Sequence, residues 1–363
     1  MQRDLMINQV KKKQDNYFQF LDCLRGVAIM LVIIHHVGFH FLYLLNDPVA
    51  GFLMSIGWSG VDVFFAISGY LITKILMSAH EKKDIRKFFI KRVFRIIPLC
   101  FVAVTFYFVF GYVVGEKNIS MLWIGALFLT GWTIPFLGAE AVPYTITWSL
   151  SVEESAYILF GLIATLGRER FTKVLMGLIL MSLVLRWILV DAHLFHVQEV
   201  YYFPPTRIDS IAFGGLVALD IIKWNRSLLF GLLTFVFIGL LYFWLSKVGQ
   251  YNRNVAVFGY SAIAFSSALI VSFAITFENS TNIFIRAFTH IGKRSYFIYL
   301  FHVFVIGAIG LSVFSGLRIA LGFWGTVGAV VIITMMMAEV SWGFFEFPLI
   351  QFGRKIAREK LVG

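Results

Sequence analysis

Ten mostly apolar stretches recur along the chain, at about 18–44, 52–78, 97–115, 148–166, 171–190, 207–222, 228–246, 255–276, 295–313 and 318–345. Most are close to the ~20 helical residues that cross a bilayer core about 30 Å thick. No water is available there, so a crossing segment must bond its own backbone groups, and a helix does so within one segment. The chain is therefore expected to be all-α, a polytopic helical membrane protein of about ten transmembrane helices. Its composition, 59% hydrophobic and 14% charged over 363 residues, excludes an ordinary soluble domain.

One further apolar stretch, 120–134, is short and runs into Pro135, Gly138, Glu140 and Pro143. Charge decides whether it crosses. The loop at 81–95 carries Lys82, Lys83, Arg86, Lys87, Lys91, Arg92 and Arg95, which puts it on the cytoplasmic side. If 120–134 is non-spanning or re-entrant, then Arg168, Arg170 and Lys173, Lys223 with Arg226, and Arg286 to Arg294 all fall on that same side. An eleven-span alternative puts them all outside. The ten-span arrangement makes both termini cytoplasmic, with basic tails at 1–17 and 346–363 around a membrane domain at 18–345. The net charge of +11 is then a topology signal, and no nucleic-acid partner is expected. Residues 1–16 are polar and the first apolar run has no small-residue cleavage site, so no cleavable leader is expected. Cys23 and Cys100 have no framework spacing, and His35, His36, His193 and His196 lack partner ligands. No metal and no permanently bound cofactor are expected.

The first helix carries the costliest residues: Asp22, Arg25, His35 and His36. An ionisable residue in hydrocarbon costs at least ~2.5–3.5 kcal/mol and marks a functional site by default. Arg25 and His36 are eleven residues apart, which places them roughly 20° apart around a helix and roughly 16 Å apart along it. Asp22 joins the same stripe, while His35 points about 100° away. For either histidine the structural alternative is a hydrogen bond to a neighbouring helix.

Other polar residues in the apolar stretches form a short set. Asp62 and Ser68 lie in the second, where Asp62 either caps a helix start or serves a site. Pro98 is expected to open the third helix, just after Lys91, Arg92 and Arg95. Paired guanidiniums at that depth suit phosphate, and topology or anionic lipid is the competing use. Trp148, Glu153 and Glu154 begin a span. The two carboxylates there either complement the helix dipole or orient a histidine. Arg207 and Asp209 are two apart, share no helical face, and would each pair with a different helix. Tyr299 and His302 are three apart on one face. His302 is either a helix-to-helix bonding residue or part of the same polar cavity as His36.

Taken in order, LDCLRGVAIMLVIIHH (21–36), GVDVFFAISGYLI (60–72), FFIKRVFRIIP (88–98), TWSLSVEESAYILF (147–160), RIDSIAFGGLVAL (207–219) and IGKRSYFIYLFH (291–302) resemble acyltransferase family 3. These are polytopic membrane O-acyltransferases that modify bacterial surface glycans. The family's first-helix Arg and His fall on Arg25 and His36, its paired arginines on Arg92 and Arg95, and its Trp-Ser-Leu-Ser-x-Glu motif on Trp148 to Glu153. Cys23 departs from a more usual glycine, and Ser155-Ala156 from bulkier residues. Members often carry a further esterase-like domain, and none is expected here.

The resemblance implies acyl-CoA, usually acetyl-CoA, as the cytoplasmic co-substrate. Its phosphates would meet Arg92, Arg95 and Lys91, and its pantetheine arm would pass Arg25 toward His36. The acceptor would be a glycan or lipid-linked saccharide (lipopolysaccharide, capsule or exopolysaccharide) at the bacterial inner membrane, amid membrane lipid. His36 would act as general base on a sugar hydroxyl, with Glu153 orienting it. The rival readings are a transporter or flippase that uses the intramembrane His, Arg and Asp as a path, and a non-catalytic assembly protein.

Overall fold

The computed structural model describes residues 2–44, 47–79, 82–114, 119–223, 231, 234, 252–277 and 279–359. The span expected at 228–246 lies almost wholly outside them. All regular structure among the described residues is helical. Among the described residues, seven segments are long and apolar enough to cross a membrane: Gln19–His40, Pro48–Ser78, Asp84–Val113, Thr145–Leu166, Arg168–Asp191, Val255–Ala274 and Ser315–Arg358. Outward-facing Tyr112, Leu162, Leu180, Met336 and Phe344 are exposed apolar or aromatic side chains, as a lipid-facing surface requires. The chain is an all-α multi-pass membrane protein.

Helix α1 spans Gln2–His40, so the expected polar tail continues the first helix. Asp47 caps α2 (Pro48–Gly57) by accepting the Val49 N–H at 2.9 Å, and Pro48 sits in the first turn where no N–H is needed. A turn at Trp58–Ser59 separates α2 from α3 (Gly60–Ser78), dividing what reads in sequence as one span.

Helix α4 runs unbroken over Lys82–Val114 with Pro98 inside it rather than at its start. Proline is tolerated in a membrane helix when neighbours bond the backbone it disturbs. Two residues before Pro98 the Tyr296 hydroxyl donates to the Ile96 carbonyl at 2.9 Å, while the carbonyl that Pro98 leaves without its helical N–H is that of Phe94. Arg92 and Arg95 are therefore helical and enter the bundle instead of standing in a loop.

The stretch 120–134 forms two short helices, α5 (Trp123–Ala126) and α6 (Thr130–Leu137), neither long enough to span. They pack inward: the Thr130 and Thr147 hydroxyls are 2.6 Å apart, and the Gly131 N–H donates to Ser151 Oγ at 3.0 Å. Helix α7 (Trp148–Ile163) begins against them, with its first turn buried. Then follow α8 (Arg168–Asp191), α9 (Glu199–Tyr202), α10 (Pro204–Ala218), α11 (Tyr260–Ala274), α12 (Ile283–Gly310) and α13 (Ser315–Ser341). A π turn at Trp342–Glu346 leads into α14 (Phe347–Glu359), so most of the expected C-terminal tail is helix.

One crossing positions the site. Helix α1 makes its most extensive contact with α12. Gly26 and Gly292 lie in that crossing, and a Cβ on Gly292 would stand 2.7 Å from the Asp22 carbonyl carbon and 2.9 Å from the Gly26 nitrogen. Only hydrogen fits there, so the two backbones touch. Each glycine stands ten residues before a histidine. The two helices run side by side in the same direction, which brings His36 against His302.

Candidate functional site

A cavity of about 510 Å³ opens between α1, α3, α4, α7, α12 and α14. Six basic residues line it (Arg25, Lys74, Lys91, Arg92, Arg95 and Arg354) against one carboxylate, Glu153. Arg25 is paired with Asp22 at 2.8 Å, one helical turn away. Lys74 bonds the Tyr70 hydroxyl at 2.8 Å. Lys91, Arg95 and Arg354 make no hydrogen bond or ion pair among the described residues. The remaining lining is largely apolar and aromatic, and it reaches Ser149 and Tyr299. A pocket with a cationic mouth and an apolar body suits a ligand with a polyanionic head and an uncharged arm.

Arg92 is the organised cation of this wall. Its Nη2 donates to Glu153 at 2.9 Å and its Nε to Glu154 at 3.3 Å, and its guanidinium lies 3.2 Å from the centre of the Tyr157 ring. Ser68 donates to the other Glu153 oxygen at 2.9 Å, and Tyr157 donates at 3.5 Å to the oxygen that Arg92 holds. Glu153 thus serves Arg92, joining α4 to α7. The expectation that it orients His36 is corrected: the histidine's partners lie on α1 and α12. Sequence could not have found this, because the two partners are 61 residues apart and Pro98 disguised the depth of Arg92.

The histidines form their own unit. His302 is fully buried, and its Nδ1 faces two main-chain carbonyls, Tyr299 at 2.7 Å and Ile298 at 3.1 Å. Carbonyls only accept, so the neutral ring carries its proton on Nδ1 and leaves Nε2 as an acceptor. That Nε2 lies 3.3 Å from His36 Nδ1, which also faces the Val32 carbonyl at 2.9 Å. His36 Nδ1 therefore carries the proton and donates to both. The lone pair of His36 falls on Nε2, where no described residue meets it. A neutral imidazole with its Nδ1–H fixed and its Nε2 bare is the arrangement of a general base. His36 is half-buried, and neither it nor His302 is among the residues lining the cavity. His35 points elsewhere and bonds the Met54 carbonyl at 2.8 Å, tying α1 to α2.

Tyr299 links the cavity to this pair. Its ring centre is 5.9 Å from that of His302, and its hydroxyl accepts from Ser149 Oγ at 2.7 Å and donates to the Ile146 carbonyl at 2.8 Å.

The other expected residues lie apart. Asp62 and Arg207 form a fully buried pair, with Arg207 Nη2 at 2.8 and 2.9 Å from the two carboxylate oxygens and Ser210 Oγ donating at 2.7 Å. Arg207 also lies over the Tyr260 and Tyr201 rings at 4.5 and 4.9 Å. Asp209 pairs with Arg186 at 2.9 Å and accepts from Ser261 at 2.7 Å. Arg186 also bonds the Thr206 carbonyl. These residues clasp α3, α8, α10 and α11 together and do not line the cavity. Trp148 packs in the adjoining aromatic cluster, 4.7 Å from Tyr201 and 5.9 Å from Phe65. Sequence reasoning missed Arg186, Lys74 and Arg354. A lone arginine inside the 171–190 span was the available signal for the first.

A family model described as an acyltransferase domain matches residues 18–342. The chain belongs to acyltransferase family 3. Among curated proteins, the chain is 28% identical over 381 residues to "O-acetyltransferase OatA" of Staphylococcus aureus strain NCTC 8325 / PS 47, covering 95% of the chain and 59% of the relative. It is 27% identical over 384 residues to "Putative O-acetyltransferase SACOL0978" of Staphylococcus aureus strain COL, with the same 95% and 59% coverage. The chain thus spans about three-fifths of the length of these relatives. No solved structure matches it.

Proposed function

We propose that this acyltransferase moves an acyl group, most simply acetyl, from acyl-CoA to a hydroxyl of a cell-surface or lipid-linked glycan. The single observation that carries the reading is a cation-rimmed cavity that reaches Tyr299, the neighbour of a histidine pair in which no described residue meets His36 Nε2. The names of the relatives support acetyl as the group. The positive-inside pattern supports placing the cavity mouth on the cytoplasmic side of a bacterial inner membrane, where acyl-CoA is made.

The CoA phosphates occupy the cationic mouth and the pantetheine arm lies along α1 past Arg25. Arg25 and His36 are roughly 16 Å apart along the helix, a span suited to that arm. His36 Nε2 takes the proton of the acceptor hydroxyl as its oxygen attacks the thioester carbonyl. The tetrahedral adduct collapses, the C–S bond breaks, and the imidazolium returns the proton to the leaving sulfur. The products are the O-acyl glycan and CoA thiol. His302 holds His36 in the working tautomer throughout, and Arg92 with Glu153 and Glu154 holds the cavity wall.

The test is mass analysis of surface glycans from cells with and without this gene. The expected result is a mass difference of one acyl group per modified sugar, absent when His36→Ala replaces the parental protein. Identical glycans in all three strains would refute the reading.

A further inference from the structure

Arg354 lies outside both the family match and the motifs that carry the resemblance, yet it lines the cavity. It gets there because α14 lies along α4. Phe94 fixes the register. The Gly353 backbone sits on its side chain, where a Cβ would come 2.6 to 2.9 Å from three Phe94 atoms, and the Phe352 ring meets the Phe94 ring edge-on at 5.5 Å. Arg95 follows Phe94 on α4, and Lys91 lies one turn before it. Arg354 follows Gly353 on α14. Ile350 and Arg354 are four apart, share a helical face and both line the cavity, while Ala357 on the same side is buried. Arg354 is exposed, like Phe352 and Lys355 beside it.

The cations at this mouth outnumber the carboxylates that bond them. The one carboxylate in the lining, Glu153, is taken by Arg92, Ser68 and Tyr157. Arg354, Arg95 and Lys91 converge from two helices and none of them makes an ion pair among the described residues; the Asp22 and Glu346 carboxylates act on Arg95 only from beyond ion-pair distance. Guanidiniums gathered with no carboxylate bonded to them suit a multiply charged phosphate ligand, which Arg can hold with two parallel N–H bonds.

We infer that Arg354 binds the phosphorylated end of the thioester donor, and that α14 thereby completes a phosphate site whose other cations are Arg95 and Lys91. The inference rests on the acyl-CoA reading above. It separates binding from chemistry: Arg354 acts on donor affinity, and the histidine pair acts on proton transfer.

The experiment compares the full-length protein with Arg354→Gln and Arg354→Lys in nanodiscs of purely zwitterionic lipid and of lipid containing an anionic phospholipid. The donors are acetyl-CoA and S-acetylpantetheine, which keeps the thioester arm and lacks the phosphates. Direct CoA binding is measured by calorimetry. For Arg354→Gln the expected result is an apparent KM for acetyl-CoA raised about tenfold or more and a matching loss of CoA affinity. The kcat should stay within about twofold, the KM for S-acetylpantetheine should not change, and both lipid compositions should agree. Arg354→Lys should recover part of the affinity. An unchanged KM and CoA affinity would overturn the inference. An equal loss with both donors would assign Arg354 to packing of α14, and an effect seen only with anionic lipid would assign it to a headgroup. Either would also overturn it. Wild-type protein that neither binds CoA nor uses either thioester would overturn the acyl-CoA reading itself, and the inference with it.

Discussion

Gly292→Ala tests the crossing that creates the histidine pair. The added Cβ would stand 2.7 Å from the Asp22 carbonyl carbon, 2.9 Å from the Gly26 nitrogen, and closer still to the Asp22 oxygen. All three are backbone atoms of α1 and cannot rotate away. Ordinary contact begins near 3.4 Å, so the helices must part by at least about 0.7 Å. The His36–His302 bond, already 3.3 Å long, would then lie near 4 Å and be lost. Overpacking of this kind costs about 1–3 kcal/mol of stability, and misplacing a catalytic group by about 1 Å costs about 100-fold in rate. The assay is acetyl transfer by purified protein, with a melting curve in the same detergent. Gly177→Ala is the control, since nothing lies within 4 Å of its Cβ. Gly292→Ala with parental activity and melting temperature would refute the close crossing and the alignment argued from it.

Three further outcomes follow from the geometry. His302→Leu removes the acceptor that fixes His36 and should lower kcat about 100-fold with donor KM unchanged, while His302→Gln, whose amide oxygen still accepts, should retain more; equal losses would contradict the tautomer argument. Asp62→Leu leaves Arg207 buried and unpaired, a cost of about 3–5 kcal/mol, and adding Arg207→Met should restore most of the melting temperature. The Trp324 indole N–H, then the Val49 N–H, hold the Asp47 carboxyl below its usual range, so their stabilisation is present above the unfolded pKa and lost as pH falls through the lower folded value. The melting-temperature gap between wild type and Trp324→Phe should be constant above about pH 5 and narrow below about pH 4; a gap unaffected by pH would count against that bond.

What a chain reveals in sequence depends on how local the signal is. The stripe on α1 is a matter of helical rotation, and the structure keeps it: Asp22 bonds Arg25, Arg25 faces the cavity, and His36 and His35 turn to different helices. The short helices at 120–134 were legible from length and breakers. Pro98 was misleading, because a proline need not end a membrane helix and α4 runs on through it. The choice of partner for Glu153 was not legible, since a carboxylate at the start of a span satisfies the dipole, a histidine or an arginine equally well in sequence. Arg354 was hidden for a related reason: basic residues after a last span read as a tail, and only Phe94 beneath Gly353 shows that the segment folds back.

The most direct test of the account is transfer of labelled acetyl from acetyl-CoA to a glycan acceptor by purified, membrane-reconstituted protein, wild type against His36→Ala. The account predicts transfer by the wild type and none by His36→Ala, with the variant still inserted, folded and able to bind CoA. Transfer by His36→Ala near the wild-type rate would contradict it.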